Sequence, residues 1–201
     1  MLLPRNYKVI FFAVSLIGSL ALAFPALSLI LPERAKERFS EIYILGPNRM
    51  AEEYPFNIKS NETYTIILGI GNHMDSSAYY AVYVKIRNSS EGLPAVSKNE
   101  PSPLPAVYEY RTFIVNEGVV EKPINFSFNF QLSSEGKYCI LKSLTINGVV
   151  FNLNKTIQWD PERKGFLINM LFELWIYNLK IGDFSFHNRF VGIWLNMTVS
   201  M

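Results

Sequence analysis

The chain has 201 residues, of which 49% are hydrophobic, 14% are aromatic and 18% are charged, and its formal net charge is +2. This near-neutral balance, with no basic block beyond a short cluster at residues 34–38, excludes the electrostatic footprint of a nucleic-acid-binding protein. The single cysteine, Cys139, excludes an internal disulfide, so the core must stabilise the fold. We expect Cys139 to be a buried small hydrophobic residue, with an intermolecular bridge as the alternative.

Residues 9–31 form an uncharged, apolar run near the start of the chain. As a helix this run is about 34 Å long, enough to cross a hydrocarbon core of about 30 Å, and membrane helices tolerate a proline such as Pro25. The sequence therefore predicts a retained transmembrane helix over residues 9–31. A cleaved signal peptide is the alternative, because Ala21 and Ala23 form a small-x-small cleavage pattern. The apolar run continues beyond Ala23, which favours the anchor.

The orientation follows from the segments on either side of this run. Positive charges are nearly balanced across it, so the positive-inside rule does not decide the orientation. Residues 1–8 are too short for a domain, whereas the rest of the chain carries five Asn-x-Ser/Thr triplets, which accept N-linked glycans outside the cytoplasm. Their asparagines are Asn61, Asn88, Asn125, Asn154 and Asn196. The alternative is that these triplets are merely part of Asn-rich strands and turns.

We therefore predict a single-pass protein of the cell membrane with its N-terminus inside. Residues 1–8 form a short cytoplasmic segment and residues 9–31 form the transmembrane helix. Residues 32–40 form a charged juxtamembrane connector, and residues 41–201 form one extracytoplasmic domain, which is long enough for a single hydrophobic core.

Short β-strands are the predicted elements of this domain. The first three cover residues 42–45, 63–71 and 79–87, with apolar residues alternating along the last two. Tyr80, Val82, Val84 and Ile86 share one face, and Tyr79, Tyr83, Lys85 and Arg87 share the other. Such alternation is typical of antiparallel sheets with one face in water. Residues 93–105 contain four prolines, and we expect an exposed loop that crosses between the halves of one sandwich.

The second half of the domain continues this pattern. Further strands are predicted over residues 107–115, 124–130, 138–146, 149–153, 166–177 and 189–199. Asn147-Gly148 is a strong hairpin signal, and Phe126, Phe128 and Phe130 alternate with polar residues, which requires an opposing apolar layer. Eight or nine strands without a further confident helix predict an all-β protein. Its fold class is an immunoglobulin-like antiparallel β-sandwich with one N-terminal transmembrane helix.

Three motifs carry a resemblance to a known family. They are ERFSEIYILGP at residues 37–47, AEEYP at residues 51–55 and GIGNH at residues 69–73. They resemble an archaeal membrane-protein family of unknown function whose members carry an ERFTEFYILGP-type segment and an immunoglobulin-like extracellular domain after the membrane helix. Residues 191–198 are similar to the LHLWVNVT-like strand that ends that domain. The resemblance implies this fold, a membrane location and archaeal origin, and it implies no activity. Unlike many members, this chain has one membrane helix, and the hairpin around Asn147 looks like an insertion.

Candidate metal ligands are few. His73 and Asp75 lie on one predicted loop, and Asp183 and His187 lie on another. These four side chains would form a metal site only if both loops met at one end of the sandwich. Their spacing matches no metal motif, so we predict polar loop residues and no metal or other cofactor.

Candidate catalytic and carbohydrate-binding residues also have simpler interpretations. The sequence contains no nucleophile elbow, phosphate-binding glycine loop or His-Glu-x-x-His motif. Glu52 and Glu53 precede a proline and are interpreted as solvated turn residues. Trp159, Trp175 and Trp194 would suit a carbohydrate-stacking platform, but packing in the core is the favoured interpretation. We therefore predict that the protein is not an enzyme.

Two functional hypotheses remain. The first is a non-enzymatic, membrane-anchored module that acts as a structural or accessory subunit of an envelope or membrane complex, with membrane or envelope proteins as partners. The alternative is a surface protein that binds glycans or small ligands through residues 72–77 and 179–188. Exposed apolar patches along an edge and beside the span favour assembly, whereas a cleft among loops favours ligand binding.

Overall fold

The computed structural model describes residues 7–30 and 37–198. Its first unit contains one helix, α1 (Tyr7–Ile30), which begins two residues before the predicted span. The window Tyr7–Phe24 is long and apolar enough to cross a membrane, although a signal sequence has the same properties. The predicted span ends at Leu31, which lies outside the described residues, as do residues 32–36 of the predicted connector.

The second unit, Arg38–Met201, contains the β-structure, whose described part consists of ten strands. They are β1 (Phe39–Leu45), β2 (Asn57–Lys59), β3 (Thr63–His73), β4 (Ala78–Arg87), β5 (Tyr108–Ile114), β6 (Gly118–Leu132), β7 (Tyr138–Ile146), β8 (Val149–Gln158), β9 (Leu167–Asn178) and β10 (Asp183–Thr198). Sheet A has the order β1-β3-β6-β7-β8, and sheet B has the order β2-β10-β9-β4-β5. All described pairs are antiparallel except β2–β10. The immunoglobulin-like β-sandwich predicted from the sequence is confirmed.

The core lies between the two sheets and follows the alternation of the sequence. Every second residue of the long strands is buried there, including Ile66, Leu68, Tyr80, Val82, Phe126, Phe128, Leu195 and Met197. The rings of Phe126 and Phe128 meet edge to face, with centroids 5.8 Å apart. Cys139 is fully buried, and burial raises the pKa of its thiol to about 11. The prediction of a buried cysteine is confirmed.

The hairpin between β7 and β8 also forms as predicted. Asn147 and Gly148 both have positive φ angles, of 48° and 84°. This is the backbone conformation that a two-residue type I′ turn requires, and the pair Asn-Gly adopts it with little conformational strain. The strand that follows continues to Gln158, five residues beyond its predicted end.

Three predictions about the strands and loops are wrong in detail. The strand β2 is missing from the prediction, because its three residues pair with the distant strand β10. Residues 93–105 do not cross between the sheets, since they connect β4 to the adjacent strand β5 within sheet B, and they are partly buried. The last strand begins at Asp183 and not at residue 189. A bulge between Phe186 and Arg189 breaks the alternation of this strand, so the sequence pattern did not predict its first residues.

The sandwich has two ends that differ in their turns. The end where β1 begins, here called the Phe39 end, carries the turns at residues 74–77, 115–117 and 179–182. The opposite end, here called the far end, carries the turn at residues 133–137 and the loop at residues 159–166. The two loops predicted for ligand binding therefore lie at the same end, although the second is only four residues long.

Candidate interaction surface

The outer face of sheet B, which points away from the core, carries a second layer of apolar side chains. Residues between the core positions of β4, β9 and β10 form it, since their strand neighbours point inward. Its apolar members are Tyr79, Ala81, Tyr83, Leu167, Leu171, Trp175, Tyr177, Phe184, Phe186, Phe190 and Trp194. A solvated outer face was predicted here, so this prediction is wrong. A face of this composition requires cover from another part of the chain or from a partner.

One half of this face is covered by residues 88–105, here called the strap. Lys85 Nζ donates to Ser102 O over 2.6 Å and lies 2.8 Å from Glu173 Oε2. The Ser102 N–H donates to Glu173 Oε1 over 2.8 Å. The Lys85 and Glu173 side chains are only 6% and 0% exposed. This buried ion pair fixes the strap to the sheet, because both of its charged groups also bond to the backbone of Ser102.

A second contact fixes the beginning of the strap. The guanidinium of Arg87 donates to Glu91 O from both Nε and Nη2, over 3.1 and 2.8 Å. Lys155 of sheet A pairs with the Glu91 carboxylate, which connects the strap to both sheets. Lys85 and Arg87, which the alternation places on a solvated face, are therefore buried beneath the chain itself.

The strap leaves the other half of the face open. Here Tyr79, Tyr177 and Phe184 form a three-ring cluster, with centroids 5.2 to 6.2 Å apart. The Arg111 guanidinium lies 4.9 Å from the Phe184 ring centroid. Phe113, the cross-strand neighbour of Tyr79, is 62% exposed. These five residues are here called the aromatic patch.

The aromatic patch extends to an open edge of sheet B. Phe113 and Arg111 belong to β5, which pairs only with β4 in the part of the chain that the structure describes. An unpaired edge presents backbone N–H and C=O groups to which another strand can add. The patch therefore combines exposed aromatic rings, an arginine and a free sheet edge, and aromatic residues and arginine are enriched at protein interfaces.

A buried polar cluster connects the sheets at the Phe39 end. Ser40 Oγ lies 2.6 Å from the Tyr80 hydroxyl and 3.0 Å from His187 Nε2. The Tyr80 hydroxyl donates to Asn72 Oδ1 over 2.9 Å, and Asn72 Nδ2 donates to backbone carbonyls of the β5–β6 connection. Burial lowers the pKa of His187, so its neutral form is favoured. Ser40 is 1% exposed, so this serine–histidine contact holds the fold together and is not open to a substrate.

The family motifs meet in this region. β1 pairs with β3 so that Tyr43 lies opposite Gly69 and Glu41 lies opposite Gly71. A Cβ atom at Gly69 would overlap the Tyr43 ring, and one at Gly71 would overlap the Glu41 side chain. The glycines therefore provide the space that these larger cross-strand neighbours occupy, and the motif residues support a strand pair.

The predicted metal-ligand candidates make separate contacts. His73 Nδ1 lies 2.6 Å from Glu117 Oε2, and this hydrogen bond raises the pKa of the imidazole. Asp75 pairs with Arg38 over 3.1 Å, and Asp183 accepts a hydrogen bond from the Phe184 N–H. His187 belongs to the polar cluster described above. No group of three metal-ligating side chains comes together within residues 7–30 and 37–198.

The five glycosylation candidates differ in accessibility. Asn61, Asn125 and Asn154 are exposed, and Asn88 is partly exposed. Asn196 is held in place, since its Oδ1 accepts a hydrogen bond from Phe166 N and its Nδ2 donates to Asn57 Oδ1. A glycan on that nitrogen requires the loss of the contact to Asn57. Occupancy of the five sites stays a prediction.

The tryptophans lie outside the core that the sequence predicts for them. Trp175 and Trp194 lie on the outer face of sheet B, and the Arg163 guanidinium is 4.8 Å from the Trp194 ring centroid. Trp159 is 47% exposed at the far end, where it packs on Phe166. It lines an open depression of about 510 Å³ together with Gln158 and Asp160. The sequence signal for this exposure is the Asp-Pro pair that directly follows Trp159.

The glutamates proposed as turn residues are solvated, as the sequence predicts. Glu52 and Glu53 are exposed, and Glu53 accepts a hydrogen bond from Asn48 Nδ2 over 2.7 Å. The segment that contains them folds back onto β1, where the Tyr54 hydroxyl donates to Ile44 O. The AEEYP motif therefore closes the turn after β1.

Solved structures of similar fold come from unrelated proteins. The CARDB domain of a Pyrococcus furiosus protein, solved in complex with di-metal ions, is 6% identical, with 84% of this chain and 95% of that chain covered and a TM-score of 0.40. A Listeria innocua beta-glucosidase in complex with glucose is 10% identical, with 84% and 17% covered and a TM-score of 0.36. The ASH/PapD-like domain of human CEP192 is 10% identical, with 85% and 93% covered and a TM-score of 0.30. These likenesses concern the fold and carry no functional argument.

Comparison at the level of sequence identifies the family. A search of curated proteins finds no match. Residues 32–132, half of the chain, match a family described as "Domain of unknown function (DUF1616)". The matched segment contains the strand pair formed by the ERFSEIYILGP and GIGNH motifs, the strap and the β5 edge. The chain belongs to the DUF1616 family.

Proposed function

We propose that this protein is a non-enzymatic, membrane-anchored module whose sandwich lies outside the cytoplasm and binds a neighbouring protein on the aromatic patch. It serves as a structural or accessory subunit of an archaeal membrane or envelope complex. The observation that carries this proposal is the outer face of sheet B, whose apolar layer the strap covers over only one half.

The covered half supports this proposal because the chain buries the outer face of sheet B where the strap lies over it. There the chain buries the Lys85–Glu173 ion pair beneath its own strap. On the open half, the rings of Tyr79, Tyr177 and Phe113 remain accessible, and Arg111 lies beside them. A partner that covers this half buries the exposed rings and gains a stacking contact from Arg111, both typical of interface centres.

The β5 edge supports a specific way of binding. An extended segment of the partner adds to β5 as a further strand and receives backbone hydrogen bonds from it. Every second side chain of the added strand then lies beside Phe113 and Arg111 of the aromatic patch. The backbone bonds provide affinity, and the aromatic side chains provide selectivity.

The helix α1 supports a partner within the membrane. Small residues lie along it at Ser15, Gly18, Ser19, Ala21 and Ala23. A Cβ atom at Gly18 would meet no other atom within 4 Å, so a second helix can approach closely there. Small residues at such positions are typical of packed membrane helices.

Native mass spectrometry of the full chain, gently extracted from its own membrane, tests this proposal. We expect residues 1–31 to be retained and a second chain to be present in stoichiometric amount. Phe113→Lys should remove that chain, whereas Val150→Lys should not. Val150 is the matched control because it is equally exposed, at 62%, on the edge strand of sheet A. A solitary wild-type chain, or equal complexes for both variants, contradicts the proposal.

The depression around Trp159 supports a second candidate function, the binding of neutral glycans. An exposed indole beside amide and carboxylate groups suits a sugar, whose apolar face stacks on the indole and whose hydroxyl groups donate hydrogen bonds to the carboxylate. Titration of the nanodisc-embedded chain with neutral oligosaccharides tests this function. Trp159→Ala should abolish any binding, and Tyr138→Ala, which removes another exposed aromatic ring, should preserve it. Binding that survives Trp159→Ala excludes this site.

A further inference from the structure

We propose that the turn between β9 and β10 inserts into the interfacial region of a lipid bilayer. Leu179 and Ile181 enter the lipid, and the Phe39 end of the sandwich lies against the membrane surface. This inference rests on the proposed membrane anchoring and adds to it a second membrane contact, made by the sandwich itself. It is distinct from the aromatic patch, which binds protein.

The turn presents aliphatic side chains in a fixed arrangement. Leu179 is 89% exposed and Ile181 is 61% exposed, on either side of Lys180. The carbonyl of Asn178 accepts hydrogen bonds from the backbone N–H groups of Ile181 and Gly182, and its side chain accepts one from Lys180 N. Because the turn is closed by these three bonds, the two aliphatic side chains cannot fold back onto the sheet.

The surroundings of the turn suit a membrane interface. Phe39 and Val115 are also exposed at the Phe39 end, one at the start of β1 and one in the turn after β5. The long stem of Lys180 can lie along lipid while its ammonium group reaches the headgroups.

The chain connectivity favours lipid as the occupant. The sandwich begins at Phe39, only nine residues after Ile30, the last residue of a helix that is apolar enough to cross a membrane. The far end of the sandwich provides the contrast, because its turn at residues 133–137 is polar and contains the Glu135–Lys137 ion pair. The apolar turn therefore lies at the end that the chain reaches first after the helix.

The charges at the Phe39 end indicate how the lipid is bound. Arg38 pairs with Asp75, and His73 contacts both Glu117 and Glu41. Within residues 37–198, these charged groups are of both signs and paired with one another, so they do not by themselves form a basic surface for anionic headgroups. Insertion of aliphatic side chains is the source of binding, and neutral phosphatidylcholine is a sufficient lipid.

Fluorescence quenching on the full chain in phosphatidylcholine nanodiscs tests this inference. An environment-sensitive dye is attached to Leu179→Cys, Ile181→Cys or, as the control at the far end, Ser134→Cys. Cys139 remains unlabelled, because it is buried and its thiol pKa is raised to about 11. With one chain per disc, we expect aqueous iodide to quench the dyes at positions 179 and 181 several-fold less than the dye at 134. A lipid-attached quencher should show the opposite order.

Each other outcome has a separate meaning. Equal iodide quenching at both ends, with the chain retained in the disc, overturns the lipid contact and leaves the anchor intact. Shielding that appears with two chains per disc and disappears with one assigns the turn to a second copy and also overturns the inference. A chain that does not enter the discs contradicts the proposed anchoring itself.

Discussion

Replacement of Lys85 by methionine tests the contacts that hold the strap on sheet B. The change removes an ammonium group that lies 2.8 Å from Glu173 Oε2 and 2.6 Å from Ser102 O. Glu173 is then a carboxylate with 0% exposure whose remaining donors are Ser102 N and Trp175 Nε1. Loss of one partner of a buried ion pair typically lowers the free energy of unfolding by about 3–5 kcal/mol. We expect a loss in this range for Lys85→Met.

Urea unfolding of the full chain in mild detergent measures this loss, with tryptophan fluorescence as the signal. The matched control is Lys137→Met, which removes the lysine of an ion pair with the same 2.8 Å separation at 76% and 66% exposure. An exposed pair contributes about 0–1 kcal/mol, so the control should unfold almost like the wild type. The double variant Lys85→Met with Glu173→Gln should regain part of the loss, because no unpaired charge remains buried. A loss for Lys85→Met no larger than for Lys137→Met would refute the role given to the ion pair.

Three further predictions concern stability, pH dependence and modification. Gly69→Ala places a methyl group against the Tyr43 ring and should lower the free energy of unfolding by about 1–3 kcal/mol, as overpacking does, whereas Gly92→Ala should have little effect in the same urea assay. The pKa of His187 is lowered by burial, so the unfolded state binds more protons between that lower value and the ordinary 6.5. The contribution of His187 should therefore lower stability as the pH drops below about 6.5, whereas the raised pKa of His73 acts in the opposite direction in wild type and variant alike. In urea titrations at several pH values, His187→Gln should lose less stability below pH 6.5 than the wild type, because only the contribution of His187 differs between them. Glycopeptide mass spectrometry should find Asn196 unmodified, because its amide is bound to Asn57, and should find glycans among Asn61, Asn125 and Asn154. Stable Gly69→Ala protein, an unchanged pH dependence in His187→Gln, or a glycan on Asn196 would contradict the corresponding prediction.

Local signals account for the parts of the fold that could be predicted. The alternation of Phe126, Phe128 and Phe130 predicted β6 and its buried face, and Asn147-Gly148 predicted the β7–β8 hairpin. Both signals act through near neighbours in sequence, namely the two-residue period of a strand and the positive φ angles of a turn. They require no knowledge of the distant parts of the chain.

The missed features depend on contacts between distant residues. The strand β2 has three residues, and its partner in β10 lies about 140 positions later in the sequence. Lys85 looks like a solvated residue of an alternating strand, because the sequence does not indicate that Glu173 and Ser102 bury it. The alternation identified which residues of β4 point away from the core, but which of them the strap covers is set by tertiary contacts.

The same distinction applies to the candidate site. The sequence indicates Tyr79 and Tyr83 on one face of β4, but it does not indicate that β9 is adjacent or that β5 is an edge. For the histidine and aspartate candidates, the sequence suggested a shared end of the sandwich only as the condition for a metal site. Their actual partners, such as Glu117 for His73 and Ser40 for His187, come from other strands and turns.

Site-specific photocross-linking in intact membranes tests most directly whether the aromatic patch binds a partner. A photoreactive phenylalanine analogue replaces Phe113 in the full chain, and Val150 is replaced in the same way as the equally exposed control. We expect one discrete cross-linked species from position 113, present before extraction and suppressed by Arg111→Glu, and none from position 150. No cross-link at 113, or equal cross-linking at both positions, would contradict the proposed function.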